Sequence, residues 1–182
     1  MDTLKYDKSH ILESRQEALH LLFSTLDLTR VSFVGGIADY INLRGKYVMP
    51  INDIDLVFRD EEDLKALAQV LPLERFESKY ATDTNIVYVT NFEHKTAPIH
   101  IDCFRQHTIY NRPTSTSDLL GHQVNHHSFK GMKQFHNEHV ELMSSDSKLH
   151  EYEWKRLYKH SRKAALYNLI CYKRDKQELV AV

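Results

Sequence analysis

Three aspartates and two glycines are the residues of this chain best placed to do chemistry. Asp53 and Asp55 stand at i and i+2 in Ile51-Asn52-Asp53-Ile54-Asp55-Leu56-Val57-Phe58, at the head of an apolar run. In a strand, such residues point to the same face. Two carboxylates on one face repel each other unless a positive group lies between them. An oxygen-seeking divalent cation answers that need, and Mg²⁺ is the usual one where phosphates are handled. A third carboxylate, Asp102, lies in a second strand-like run, Pro98-Ile99-His100-Ile101-Asp102-Cys103-Phe104. Upstream, Gly35-Gly36 follows the short apolar run Phe33-Val34. Glycines there suit a sharp turn, or backbone N–H groups brought close to a phosphate.

The pattern resembles the nucleotidyltransferase superfamily, the fold of DNA polymerase beta, CCA-adding enzymes and antibiotic nucleotidyltransferases. Gly35-Gly36, Asp53, Asp55 and Asp102 fill the places of its glycine turn, its Asp-x-Asp and its later strand-borne carboxylate. The resemblance covers roughly residues 30 to 105. The long interval holding Arg44-Gly45-Lys46 is similar to that of the small lincosamide and aminoglycoside enzymes. The resemblance implies an α/β (α+β) palm, a small mixed β-sheet with flanking helices and a C-terminal helical segment. It implies Mg²⁺, or Mn²⁺, held by Asp53, Asp55 and Asp102, with NTP, including ATP, as substrate. Asp102 completes a second metal site or takes the proton of the acceptor hydroxyl. Gly35 and Gly36 cradle the triphosphate, and Arg44 and Lys46 approach it. The acceptor it favours is a small molecule such as an antibiotic. A tRNA or protein acceptor, of the toxin–antitoxin kind, is the alternative, and so is a non-catalytic binding or antitoxin partner that keeps the fold.

The elements that must position these groups follow from the apolar spacing. Residues 10 to 25 read as an opening helix, Arg30 to Val34 as a strand and Ile37 to Leu43 as a short helix with an anion-attracting N-terminus. Arg44 to Asn52 reads as a loop, Ile54 to Phe58 as a buried strand, and Glu61 to Val70 as a helix begun by Asp60. Asn85 to Thr90 and Ile99 to Phe104 read as strands. Arg112 to Ser117 reads as a loop, with Ser117 capping a helix from Asp118. Strand is expected between Phe129 and Met143, chiefly over His139 to Met143, and a long helix from Ser144 to about Lys173.

The histidines after residue 120 invite a zinc reading, since His122 and His126 are four apart. No cysteine stands nearby and there is no His-Glu-x-x-His motif, so a polar surface is the expectation for His122, His126, His127, His136 and His139. Asp39 is expected to be a surface carboxylate, and His100 shares the face of Asp102. The final helix carries Lys155, Arg156, Lys159, Arg162 and Lys163 as a mostly solvated basic face, with Arg162 or Lys163 reaching the nucleotide. Its packing face is expected from Leu157, Ala164, Ala165, Leu166, Leu169 and Ile170.

At 182 residues the chain suits a single compact unit, residues 1–110 as catalytic core and 111–182 as an extension on the acceptor side. The first part holds 12 basic and 17 acidic residues, a balance of −5; the second holds 12 and 8, a balance of +4. An acidic half for metal and a basic half for polyphosphate fit that split. No apolar run approaches a membrane span and no signal-peptide pattern is present, so the cytoplasm is expected. Cys103 and Cys171 are expected as buried thiols.

Overall fold

A computed structural model describes residues 15–43, 51–80, 83–94, 97–107, 110–145 and 151–180. The fold is α/β, a seven-stranded mixed sheet with helices on both faces. In chain order the elements are α1 (Gln16–Thr25), β1 (Val31–Val34), α2 (Gly35–Asn42) and β2 (Asp53–Phe58). A 3₁₀ turn (Glu61–Leu64) leads into α3 (Lys65–Val70). Then come β3 (Glu74–Tyr80), β4 (Asp83–Phe92), β5 (Ile99–Arg105), β6 (Thr114–Leu119), β7 (His122–His127), α4 (Phe129–Ser144) and α5 (Glu151–Val180).

The strand order is β3-β4-β5-β2-β1-β7-β6. At the centre, β2 runs parallel to β5 and antiparallel to β1, and β1 runs parallel to β7. Alternation sorts the side chains of β2 cleanly. Ile54, Leu56 and Phe58 enter a core with Phe33, Ile101 and Cys103, covered by Ala18, Leu19 and Leu22 of α1 and Leu67 of α3. Val57 faces the other way, into a core with Val34, Ala38, Tyr110, Met132, Phe135 and Tyr167. Asp53 and Asp55 share the face of Val57, so they lie on the side covered by α4 and α5.

Local signals set several boundaries. Asp60 caps the 3₁₀ turn by accepting from the Glu62 N–H at 3.1 Å, and Asp63 reaches back to the Asp60 N–H at 3.0 Å. Ser128 caps α4 by accepting from the Gly131 N–H at 3.1 Å.

The region after residue 105 departs from expectation. Ser117 and Asp118 do not begin a helix; they lie in β6, which pairs with β7 through a turn at Leu120-Gly121, both with positive φ. The expected strand over His139 to Met143 is the second half of α4. Its buried positions Met132, Phe135, His136, His139 and Met143 follow a helical period that the histidines had disguised. The final helix begins at Glu151 rather than Ser144, since residues to Ser144 belong to α4. Strand β3 carries Glu74, Arg75, Glu77 and Lys79, and this charge hid its edge-strand character. Cys103 is a buried free thiol and Cys171 a half-buried one. Among the described residues, no helix is long and apolar enough to cross a membrane.

Candidate active site

Asp55 on β2 lies abreast of Asp102 on β5, and Asp53 lies abreast of His100. Parallel pairing in this register brings Asp53, Asp55 and Asp102 to one face and one cavity, of about 320 Å³. Burial pushes the Asp55 carboxyl up to about 8, reinforced by the charges of Asp53 and Asp102. Asp102 is also raised, by burial first and by Asp53, against a downward pull from His100. The His100 Nε2 stands 3.1 Å from Asp102 Oδ1, while its Nδ1 meets Asn91 Oδ1 at 2.8 Å. The carboxylates repel in the way their spacing implied, and His100 is the imidazole beside them.

Gly35 lines this cavity and has φ +61°. A Cβ there would sit 1.9 Å from Asp55 Oδ2, so only glycine lets the end of β1 pass beneath the carboxylate. Gly36 is different. A Cβ on it would meet Ile51 at an ordinary 3.5 Å, so crowding does not demand glycine there. Helix α2 starts at Gly35, and its N-cap, Val34, offers no side-chain acceptor to the first N–H groups. Arg44 and Lys46 lie outside the described residues.

The opposite wall comes from α5. Arg156, Lys159, His160 and Lys163 line the cavity, spaced along one side of the helix. The ammonium groups of Lys159 and Lys163 pull the Asp55 carboxyl down, and Lys159 does the same to Asp102. The Arg156 guanidinium feels Asp55 and Asp53. Of the two cations expected to reach the nucleotide, Lys163 faces the cavity, while Arg162 lies over the exposed ring of Tyr158 at 5.7 Å. Lys155 pairs with Glu151 at 2.8 Å in solvent.

Asp39 is not a surface carboxylate. It is 4% exposed, with Lys163 Nζ 2.5 Å from Oδ2 and both His136 Nε2, at 3.1 Å, and Tyr167 Oη, at 2.8 Å, on Oδ1. Burial alone would raise its carboxyl, but Lys163 first and His136 next outweigh that and bring it to about 2. A neutral His136 that donates from Nε2 must accept at Nδ1. The 3.1 Å contact to His160 Nδ1 is therefore a hydrogen bond donated by His160. The His160 ring stacks on His139 at 4.2 Å, and burial drives both well below the usual imidazole range, His139 to about 4.

His126, His127, His136 and His139 are thus buried polar groups, not a surface. His122 and His126 both lie in β7, where a four-residue interval spans about 13 Å, too far apart to share one zinc ion. Helix α5 packs through His160, Lys163, Ala164 and Tyr167, whereas Leu169 is 47% exposed. Of the expected packing face, Ala164 is buried and Leu166 and Ile170 pack against the second core, while Ala165 and Leu169 are exposed; His160, Lys163 and Tyr167 are the buried positions that an apolarity count missed. The i, i+3 and i+7 spacing of His160, Lys163 and Tyr167 was the available signal.

No protein-family model matches the chain, and no curated protein matches it. Among solved structures, it is similar to an antigenic nucleotidyltransferase-like protein from Paracoccidioides brasiliensis. The TM-score is 0.46 and the identity 14%, over 86% of this chain and 74% of that one. So distant a likeness assigns no role to any residue.

A divalent ion can be tested against the donors themselves. Asp53, Asp55 and Asp102 are mutually repelling carboxylates in one cavity, with a glycine holding space beside Asp55. Among the described residues, no three carboxylate, imidazole or thiol side chains converge closely enough to hold a metal ion by themselves. An Mg²⁺ ion needs only one or two carboxylates and completes its shell with substrate phosphates and water. The donor set fits such an ion; it does not resemble a closed zinc cage.

Proposed function

We propose that this chain is a Mg²⁺-dependent nucleotidyltransferase, moving a nucleoside monophosphate from an NTP to the hydroxyl of a small-molecule acceptor. The observation that carries this reading is the register of Asp55 against Asp102, with Gly35 packed beneath Asp55 and a basic wall opposite. Acid-only clefts bind metals and base-only clefts bind phosphates. A cleft with both, facing each other, suits a metal-bound polyphosphate.

Asp53 and Asp55 would hold the ion, with Asp102 beside them. Bound there, Mg²⁺ supplies charge neutralisation to the phosphoryl oxygens and aligns the attacking and leaving oxygens. The residues do the rest. The free N–H groups at the start of α2 meet phosphate oxygens beside Gly35. Arg156 and Lys159 offset the charge that builds on the departing pyrophosphate, on a helix held in place by the Lys163–Asp39 pair. Asp102 is the group suited to take the proton of the acceptor hydroxyl, because burial raises its affinity for one. His100, within 3.1 Å, orients that carboxylate.

Equilibrium binding of NTP with and without Mg²⁺ tests the reading. Wild-type protein should bind Mg·NTP far more tightly than NTP alone, and Asp53→Asn with Asp55→Asn should remove the difference. Equal affinity with and without the ion would count against it.

A further inference from the structure

The sheet beyond Asp102 holds a feature that nucleotide binding does not use. Pairing sets Phe76 of β3 against Val87 of β4, and Val87 against Phe104 of β5. The next row sets Val89 against Asp102, which is abreast of Asp55. Phe76, Val87, Val89 and Phe104 all line the same cavity as the aspartates. Phe76 is nevertheless 51% exposed, although it sits mid-strand. The sheet thus presents an apolar ledge one row from Asp102, on the side away from Gly35.

We propose, resting on the nucleotidyltransferase reading, that this ledge is the acceptor subsite, and that the acceptor is a hydroxyl compound with an apolar, ring-like face and no strong positive charge. Three observations converge. The ledge adjoins Asp102, one of the three aspartates that line the cavity, through the pairing of Val89 with it. Gly35 and the α2 N-terminus, where the phosphates belong, stand on the opposite side of the aspartates, past β2 on β1. Finally, Glu74, at the edge of the Val89 row, does not line the cavity, so beyond Asp102 the ledge offers no carboxylate to an ammonium group. An aminoglycoside is therefore the wrong acceptor, and the acceptor side belongs to β3–β5 rather than to residues 111–182. Phe76 is the specificity residue. A flat apolar group laid on its ring removes both surfaces from water.

Saturation-transfer NMR tests this with three probes, phenyl β-D-glucoside, methyl β-D-glucoside and kanamycin, on protein loaded with Mg²⁺ and a non-hydrolysable ATP analogue. Phenyl protons should take up saturation strongly, with methyl glucoside and kanamycin showing little. Phe76→Ser, at a half-exposed position, should cut the phenyl signal at least about fivefold, and Phe76→Leu should keep most of it, with analogue affinity unchanged within about twofold. Equal signals from phenyl and methyl glucosides, preference for kanamycin, or no effect of Phe76→Ser would overturn the proposal. So would a large loss of analogue affinity in Phe76→Ser, which would make the ledge part of the nucleotide site. Failure of the donor reading looks different: analogue affinity would be indifferent to Asp53→Asn with Asp55→Asn, whatever the glucosides do.

Discussion

Lys163 of α5 places its ammonium 2.5 Å from Oδ2 of Asp39 on α2, and both side chains are buried. The pair ties the helix that bears the basic wall to the helix that begins at Gly35. It fixes the two sides of the cleft relative to each other.

Removing either partner leaves a buried charge alone. Asp39→Asn and Lys163→Met should each cost about 3–5 kcal/mol in urea unfolding, and the double variant clearly less than their sum. Additive losses in that cycle would mean that the two residues do not act as a pair.

The buried imidazoles predict acid lability. His139 and His127 are held near about 4 in the native state by burial, and His160 is driven lower still. The unfolded chain protonates these groups below about 6.5. It therefore binds more protons than the native state as pH falls from 6.5 toward 4, and stability drops over that window. Asp39, at about 2 in the native state, adds a further loss at lower pH. In an Asp55→Asn background, which removes the opposing titration of that carboxyl, unfolding midpoints at pH 7.5, 6, 5 and 4 should fall in order, less steeply when His139→Phe is added. A midpoint flat from pH 7.5 to 4 would contradict the buried neutral cluster.

Asp55 has the opposite sign. Its native carboxyl keeps a proton up to about 8, whereas the unfolded chain loses it near 4. The native state therefore binds more protons between those limits, and stability falls as pH rises through them. Without divalent ions at pH 8, Asp55→Asn should raise the melting temperature by several degrees. With saturating Mg²⁺, the wild type should recover that difference. A lower melting temperature for the variant in the metal-free state would show that Asp55 carries no repulsion.

Two glycines separate strain from collision. Gly121 has φ +82° and open space around it, so Gly121→Ala should cost only about 1 kcal/mol. At Gly35 the same change adds a Cβ 1.9 Å from Asp55 Oδ2. Gly35→Ala should displace that carboxylate and lower transfer at least about 100-fold. Similar activity in both variants would remove Gly35 from the site.

Much of this was legible before any coordinates. The alternation in Asp53-Ile54-Asp55-Leu56 announced a strand with one charged face, and the run holding Asp102 announced its neighbour. What could not be read was pairing. Nothing local tells Asp39 that Lys163 and Tyr167 will reach it across the fold, so it looked like a surface charge. The same long-range partners buried His136, His139 and His160 and turned an expected strand into α4. Phe76 was hidden for another reason. It lies in a strand whose neighbours Arg75 and Glu77 carry charge, and its significance comes only from register with Val87 and Phe104.

The central claim concerns which phosphorus moves, and isotope position tests it most directly. Wild-type protein, Mg²⁺ and phenyl β-D-glucoside as acceptor should be supplied in parallel with α-labelled and γ-labelled NTP. The account predicts α-label on the acceptor, γ-label in pyrophosphate, and loss of both in Asp53→Asn with Asp55→Asn. Label on the acceptor from the γ position, or α-label transfer that survives the double substitution, would contradict it.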